Sequence, residues 1–211
     1  MNKNYWKLES TVKFFRDKEA DILVTEGISE IKSGSKNALD IGCGGGRNSL
    51  VLARHNFNVK ILDRYQIMLD TTISLLSKNK FKVSSASLQD ISNLNIGENN
   101  FDIILCIGVL HQNQSITSLT ESIKKIYKSL KHGGIFVYNV FTSDHIDSSL
   151  TVLNNDRFQT NENAPMLLVL KEKYLEIFKR LGFIEVYKQY DVKDINTGKR
   201  SILRGMLKKM E

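Results

Sequence analysis

The chain has 211 residues, with 30 Lys and Arg against 23 Asp and Glu, a formal net charge of +7 and 41% hydrophobic residues. That length carries one domain with a full core. No apolar run approaches the ~20 residues of a membrane helix, and the opening MNKNYWKLES lacks the apolar stretch of a secretory signal, so a cytoplasmic location without membrane association is expected. Two cysteines, Cys43 and Cys106, exclude a four-thiolate zinc site, and no metal site is expected.

The basic residues are scattered, and the densest group is Lys199, Arg200, Arg204, Lys208 and Lys209. Solvated surface is the favoured reading of this charge, and a nucleic-acid partner the less favoured one.

In chain order, residues 1–36, with Trp6, Leu8, Val12 and Phe15, are expected to form helices that cap the sheet or the site. The domain proper then spans 37–211. A short apolar run predicts a strand over 37–41, followed by a helix over 47–55. A second strand over 58–63 leads to a helix over 66–78, and a third strand to 81–87. FDIILCIGVL (101–110) reads as a strand covered on both faces. The helix over 118–130 carries Leu119, Ile123, Ile126 and Leu130 on one side. A fifth strand over 133–141 follows a Gly-Gly stop. Residues 142–164 are polar and poorly periodic, which reads as an insertion closing over a site. After Pro165, Leu170, Tyr174, Ile177, Phe178 and Leu181 mark one helix face. The alternating stretches 183–192 and 199–209 predict an antiparallel hairpin. Strand–helix alternation implies an α/β fold with a doubly wound, mostly parallel sheet of seven strands and that hairpin at its end.

The stretch NALDIGCGGGRNS (37–49) carries the functional signal. It lacks the lysine of a phosphate loop. It also departs from the dinucleotide fingerprint, because Arg47 stands at the third glycine. What remains is Asp40 with Gly42, Gly44 and Gly46. LDIGCGGGRNSLVLA resembles the first motif of class I S-adenosylmethionine-dependent methyltransferases, and GCGGGRNS is similar to small-molecule enzymes of the tellurite-resistance type. Asp63 ends the second strand 23 positions after Asp40. Gln89-Asp90, the FDIILCIGVLHQ strand, SLKHGGIFVYNVF and YLEIFKRLGF follow in the family's order. The resemblance implies S-adenosylmethionine as cofactor, held by Asp40, Gly42, Cys43, Gly44, Gly46, Asp63, Arg64, Gln89, Asp90 and Ile107. Glycines let backbone approach a ligand that a β-carbon would hold off. An acid such as Asp40 can orient an ammonium, directly or through water, and a carboxylate at Asp63 can accept two ribose hydroxyls.

The place after the fourth strand reads CIGVLHQN, without the Pro-Pro motif of base-amino methyltransferases, the paired glutamates of arginine methyltransferases or the acids of metal-dependent catechol enzymes. A small-molecule acceptor methylated at O, N or S by in-line displacement is therefore expected. An RNA methyltransferase and a non-catalytic cofactor-binding module are the alternatives. His111, just past the fourth strand, is the candidate base, because a neutral imidazole has a suitable pKa. His145 is a weaker candidate, and His55 and His132 read as structural. The insertion and the N-terminal segment to about Phe15 are expected to close the acceptor pocket, with Tyr5, Trp6 and Phe158 as covering aromatics. Cys43 and Cys106, on neighbouring strands, read as small packing residues, with a redox pair as the alternative.

Overall fold

The computed structural model describes residues 5, 8–31, 36–160 and 164–210; Trp6 lies outside them. β1 (Asn37–Ile41), β2 (Asn58–Asp63) and α4 (Gln66–Lys78) fall where the apolar runs and periodicity put them, and α3 (Arg47–Arg54) joins β1 to β2. β3 (Ser85–Leu88), β4 (Phe101–Ile107), α5 (Ile116–Ser129) and β5 (Leu130–Thr142) continue the alternation, and β9 (Phe183–Ile195) and β10 (Gly198–Lys209) form the closing hairpin. The seven strands run in the order β3-β2-β1-β4-β5-β10-β9. β1 to β5 pair in parallel, while β10 pairs antiparallel with both β5 and β9. The seven-stranded, doubly wound expectation holds.

The core has two layers, one on each side of the sheet. α5 and α6 (Lys171–Arg180) bury Leu119, Ile123, Ile126, Tyr174, Ile177 and Phe178 against one face. On the other face lie α2 (Ile22–Ser29), α3 and α4, with Leu23, Val24, Leu52 and Leu76. β4 sends Ile104 and Cys106 to the first layer and Ile103 and Leu105 to the second, all fully buried, which explains its unbroken apolar run. Each such side chain contributes about 1.5–3 kcal/mol. α2 thus packs into the sheet's own core, and α1 (Glu9–Asp17) buries Thr11 and Val12.

Several boundaries shift for identifiable reasons. β3 is an edge strand of four residues, shorter than 81–87, and its pattern is largely exposed. β4 stops at Ile107 because Gly108 takes a φ of +76°, and Leu110–Gln112 turns into a 3-10 helix. Leu170 is the residue before α6 and is 55% exposed, so it does not share the buried face.

The stretch after β5 departs most from expectation. β6 (Thr151–Asn154), β7 (Arg157–Gln159) and β8 (Pro165–Leu167) form a separate three-stranded antiparallel sheet. Its small core is Phe158, Met166 and Leu168, with Phe141 and Leu150 packed on it. Phe158 is therefore core, not a cover for an acceptor.

The C-terminal basic residues are also partly spoken for. The Arg200 Nε lies 2.7 Å from Asp147, Arg204 Nε lies 3.5 Å from Asp191, and Lys209 Nζ donates to the Leu130 carbonyl at 2.8 Å. Cys43 and Cys106 sit in different core layers, on opposite faces of the sheet, an arrangement that suits two packing residues. Among the described residues, no helix is long and apolar enough to cross a membrane.

Candidate cofactor and acceptor cleft

The site forms where strand order reverses, between β1 and β4, at the carboxyl ends of the strands. The chain leaves β1 through Gly42, whose φ is +71°, and a β-carbon there would stand 2.3 Å from Val109 Cγ2. Gly42 and Cys43 both donate backbone N–H to the Leu62 carbonyl of β2, at 2.8 and 3.2 Å. Gly46, at φ +86°, turns the chain into α3.

Asp63 locks this loop from β2. Its Oδ2 accepts the Gly44 N–H at 3.1 Å, and its Oδ1 accepts the Tyr65 N–H at 3.0 Å. From the other side, Thr72 Oγ1 donates to the Gly44 carbonyl at 3.0 Å. Asp63 is 7% exposed, and burial raises its pKa against the hydrogen bonds from Tyr65, Gly44 and Arg64. A carboxylate has about four acceptor positions, so each oxygen retains capacity for a ligand hydroxyl.

A cavity of about 320 Å³ opens above the loop. Of the sequence-predicted cofactor residues, it brings together Gly42, Cys43, Gly44, Asp63, Arg64, Gln89 and Ile107, and His111 joins them. Asp40, Gly46 and Asp90 do not line it. Asp40 is 2% exposed beneath the loop, where its Oδ2 accepts the Ser49 hydroxyl at 2.6 Å. Desolvation lifts its pKa to about 6, against the Ser49 hydrogen bond and the Arg47 charge. Asp40 thus supports the loop from beneath the cavity wall. Asp90 caps the turn Ile91–Asn93 by accepting the Ser92 N–H at 2.9 Å, and its other oxygen lies 3.4 Å from Arg64 Nε. Gly46 packs instead against Thr72. Gln89 lines the cavity, but its Oε1 already accepts the Asn95 N–H at 2.9 Å.

The structure adds residues that the motif reading passed over. Phe14, Phe15 and Lys18 bring the end of α1 to the cavity, and Tyr65, Met68 and Phe141 line it from α4 and β5. A β-carbon on Gly45 would lie 2.3 Å from backbone atoms of Arg16, so α1 rests directly on the loop. Phe141 ends a predicted strand on the cleft side, so the strand-end rule alone would have found it.

His111 is 3% exposed on the cavity wall and packs against Phe141, the rings tilted by 50° with centroids 5.0 Å apart. Among the described residues, its buried Nδ1 has no hydrogen-bond partner. Burial, then the Arg200 charge, lowers its pKa to about 4. The ring is thus held in the neutral form expected of the candidate base, with its basicity reduced. His145 lies off the cavity, with Nδ1 3.3 Å from the Tyr190 hydroxyl. His55 is exposed at the end of α3, 2.9 Å from the Val51 carbonyl. The segment after β5 is tethered to the hairpin turn through Asp147, which accepts from Arg200 at 2.7 Å and Thr197 at 2.8 Å. Despite burial, those bonds and one from Ser149 hold its carboxyl well below the usual range. Among the described residues, no group of three or more His, Cys, Asp or Glu side chains is placed to hold a metal ion.

The cavity fits a cofactor pressed against bare backbone. A β-carbon on Gly108 would meet nothing within 4 Å, and one on Gly44 would find its nearest atom at 3.9 Å. The room is therefore there for a ligand, and both glycines line the cavity.

Comparison with known proteins agrees with this geometry. A family model described as "Methyltransferase domain" matches residues 32–182. A ubiquinone biosynthesis O-methyltransferase of Rickettsia bellii is 27% identical over 101 residues, covering 47% of this chain and 39% of that protein. The chain thus matches about two fifths of that curated relative's length. A solved S-adenosylmethionine-dependent methyltransferase of Methanosarcina mazei superposes with a TM-score of 0.70 at 17% identity, covering 92% of this chain and 100% of its own. The 1,6-didemethyltoxoflavin-N1-methyltransferase of Burkholderia thailandensis, solved with 1,6-didemethyltoxoflavin and S-adenosylhomocysteine, gives 0.66 at 17% identity, covering 100% and 83%. At these identities the structural likeness speaks for the fold.

Proposed function

The chain belongs to the methyltransferase-domain family, whose cofactor is S-adenosylmethionine, and from that premise we propose that it methylates a small-molecule oxygen, nitrogen or sulfur acceptor by in-line displacement. The observation that carries this reading is Asp63. One buried carboxylate at the end of β2 ties the glycine loop to the cavity through the Gly44 N–H while keeping acceptor capacity for a ligand. The cofactor supplies an already activated methyl group on a sulfonium. Asp63 would hold the ribose hydroxyls, and backbone at Gly42 and Gly44 would lie along the methionine part. Ile107, Met68 and Ile91 supply apolar wall. Asp40 and Ser49 keep the loop in place from below.

The chain's own contribution is then alignment and exclusion of water, which can supply about 7–11 kcal/mol. The end of α1 and Phe141 both line the cavity and would close on an acceptor. His111 enters as a neutral hydrogen-bond acceptor. The ring would accept the O–H or N–H of the acceptor, which turns a lone pair of the nucleophilic atom toward the methyl group, and the proton would pass on to water as the methyl is transferred. The small-molecule reading over RNA is further supported by the engagement of Arg200, Arg204 and Lys209 within the fold.

Incubation with methyl-labelled cofactor and pooled metabolites tests the proposal. Label is expected in a low-molecular-weight product. Label only in added RNA, with RNA binding that weakens steeply in salt, would replace it with the nucleic-acid reading.

A further inference from the structure

The cavity's charges are unbalanced. Its lining carries Lys18, Arg47 and Arg64 against a single acid, Asp63. Asp63 already takes two backbone N–H groups, and Arg64 faces Asp90 at 3.4 Å. Lys18 and Arg47 are different. Among the described residues neither forms an ion pair, although the Arg47 charge also acts on the buried Asp40 beneath the loop. Arg47 donates to the Glu19 carbonyl through one guanidinium nitrogen, which leaves its other donors. Lys18 Nζ stands 4.4 Å above the ring of Phe14, an exposed aromatic on the same wall. Partial burial, then the charges of Arg47 and Lys193, hold the Lys18 ammonium below its ordinary value. Two like charges gathered at the rim of an aromatic cavity repel one another in the empty protein. That cost is relieved by an anion and increased by a protonated amine; the cofactor's own carboxylate and ammonium offset each other, so its sulfonium leaves that preference in place.

We propose that the methyl acceptor is a planar, largely apolar molecule bearing a carboxylate or similar anionic group, with its ring between Phe14 and Phe141 and its charge at Lys18 and Arg47. This rests on the reading of the cleft as a methyl-transfer site and assigns the substrate class of that site. Phe14 and Phe141 supply flat apolar contact, His111 meets the group to be methylated, and the cations select the sign of charge at the far end. Cationic amines are disfavoured as acceptors.

The test uses the full chain loaded with S-adenosylhomocysteine, titrated by NMR with three rings of matched size: 4-hydroxybenzoate, 4-hydroxybenzamide and 4-hydroxybenzylamine. The benzoate is expected to bind about threefold to tenfold more tightly than the amide, the scale of one partly exposed charge contact, and the amine most weakly. Its advantage should shrink as salt is raised. Lys18→Met should remove most of the benzoate's advantage while the S-adenosylhomocysteine affinity and the melting temperature hold. Equal affinity for the benzoate and amide in the wild type would overturn the proposal, and needs no variant to fold. So would a Lys18→Met protein that loses S-adenosylhomocysteine but keeps the benzoate preference, because the lysine would then serve the cofactor's own carboxylate. Absence of S-adenosylhomocysteine binding in the wild type would instead overturn the methyl-transfer reading itself.

Discussion

Replacing Asp63 by alanine probes the cleft most sharply. The carboxylate is 7% exposed and accepts one N–H from Gly44 and one from Tyr65. Removing it releases the two N–H groups at the cavity floor, where water can satisfy them, so the fold should survive. What is lost is the pair of acceptor oxygens that would receive ribose hydroxyls. Hydrogen bonds to a charged group are worth about 1.5–3 kcal/mol, a loss of roughly tenfold to 150-fold in affinity. The two hydroxyls need not add, because they share one carboxylate. Calorimetry with S-adenosylhomocysteine reads the loss, alongside a thermal melt of the same sample. An unchanged dissociation constant with a normal melt would refute the assignment and place the ribose acid elsewhere.

Other outcomes follow from the same geometry. Asp40 is protonated more readily in the folded chain, at about 6, than in the unfolded one, so its contribution to stability is fully present below about pH 4 and falls as pH rises to 6. Asp40→Asn should therefore gain on the wild type across that window, by at most about 3 kcal/mol, and parallel melting curves from pH 4 to 7 would contradict it. His111, with its pKa lowered to about 4, should keep the NMR shift of a neutral ring down to pH 5, and a titration near 6.5 would show an exposed imidazole instead. Gly45→Ala should push α1 off the loop, because the new β-carbon would stand 2.3 Å from Arg16 backbone; hydrogen exchange over 9–17 should quicken, and unchanged protection there would show that α1 is held by other contacts. S-adenosylhomocysteine should raise protection in α1, in the segment after β5, or in both, while the outer part of the hairpin stays as it is; if neither responds, the closing role of these segments is wrong.

Much of the fold was legible because its signals are local. β1, β2 and α4 are bounded by glycine, by a turn or by a change of period, and each was readable from its own residues. Asp63 was legible because a strand-end acid follows the glycine loop at a set distance. The small sheet was not. Its strands are three or four residues long, too short to show alternation, and they pair with one another across the polar stretch that hid them. The capping duty of Asp90 was hidden for a related reason: a carboxylate before a turn is as well suited to capping it as to facing a ligand, and its Oδ1 accepts the Ser92 N–H. Lys18 was invisible as a site residue because it lies past the segment expected to close the pocket, and its role depends on where α1 comes to rest, which the approach of Arg16 to Gly45 shows. The depth of His111 was not legible because sequence gives a histidine's position but not its burial.

The central claim is that the cavity over Gly42, Gly44 and Asp63 receives S-adenosylmethionine without a metal. Calorimetry of the wild-type chain with S-adenosylhomocysteine in the presence of a chelator tests it most directly. The account predicts a saturable heat with one ligand per chain and a dissociation constant below the millimolar range. No heat at millimolar ligand, from protein that melts cooperatively, would contradict it.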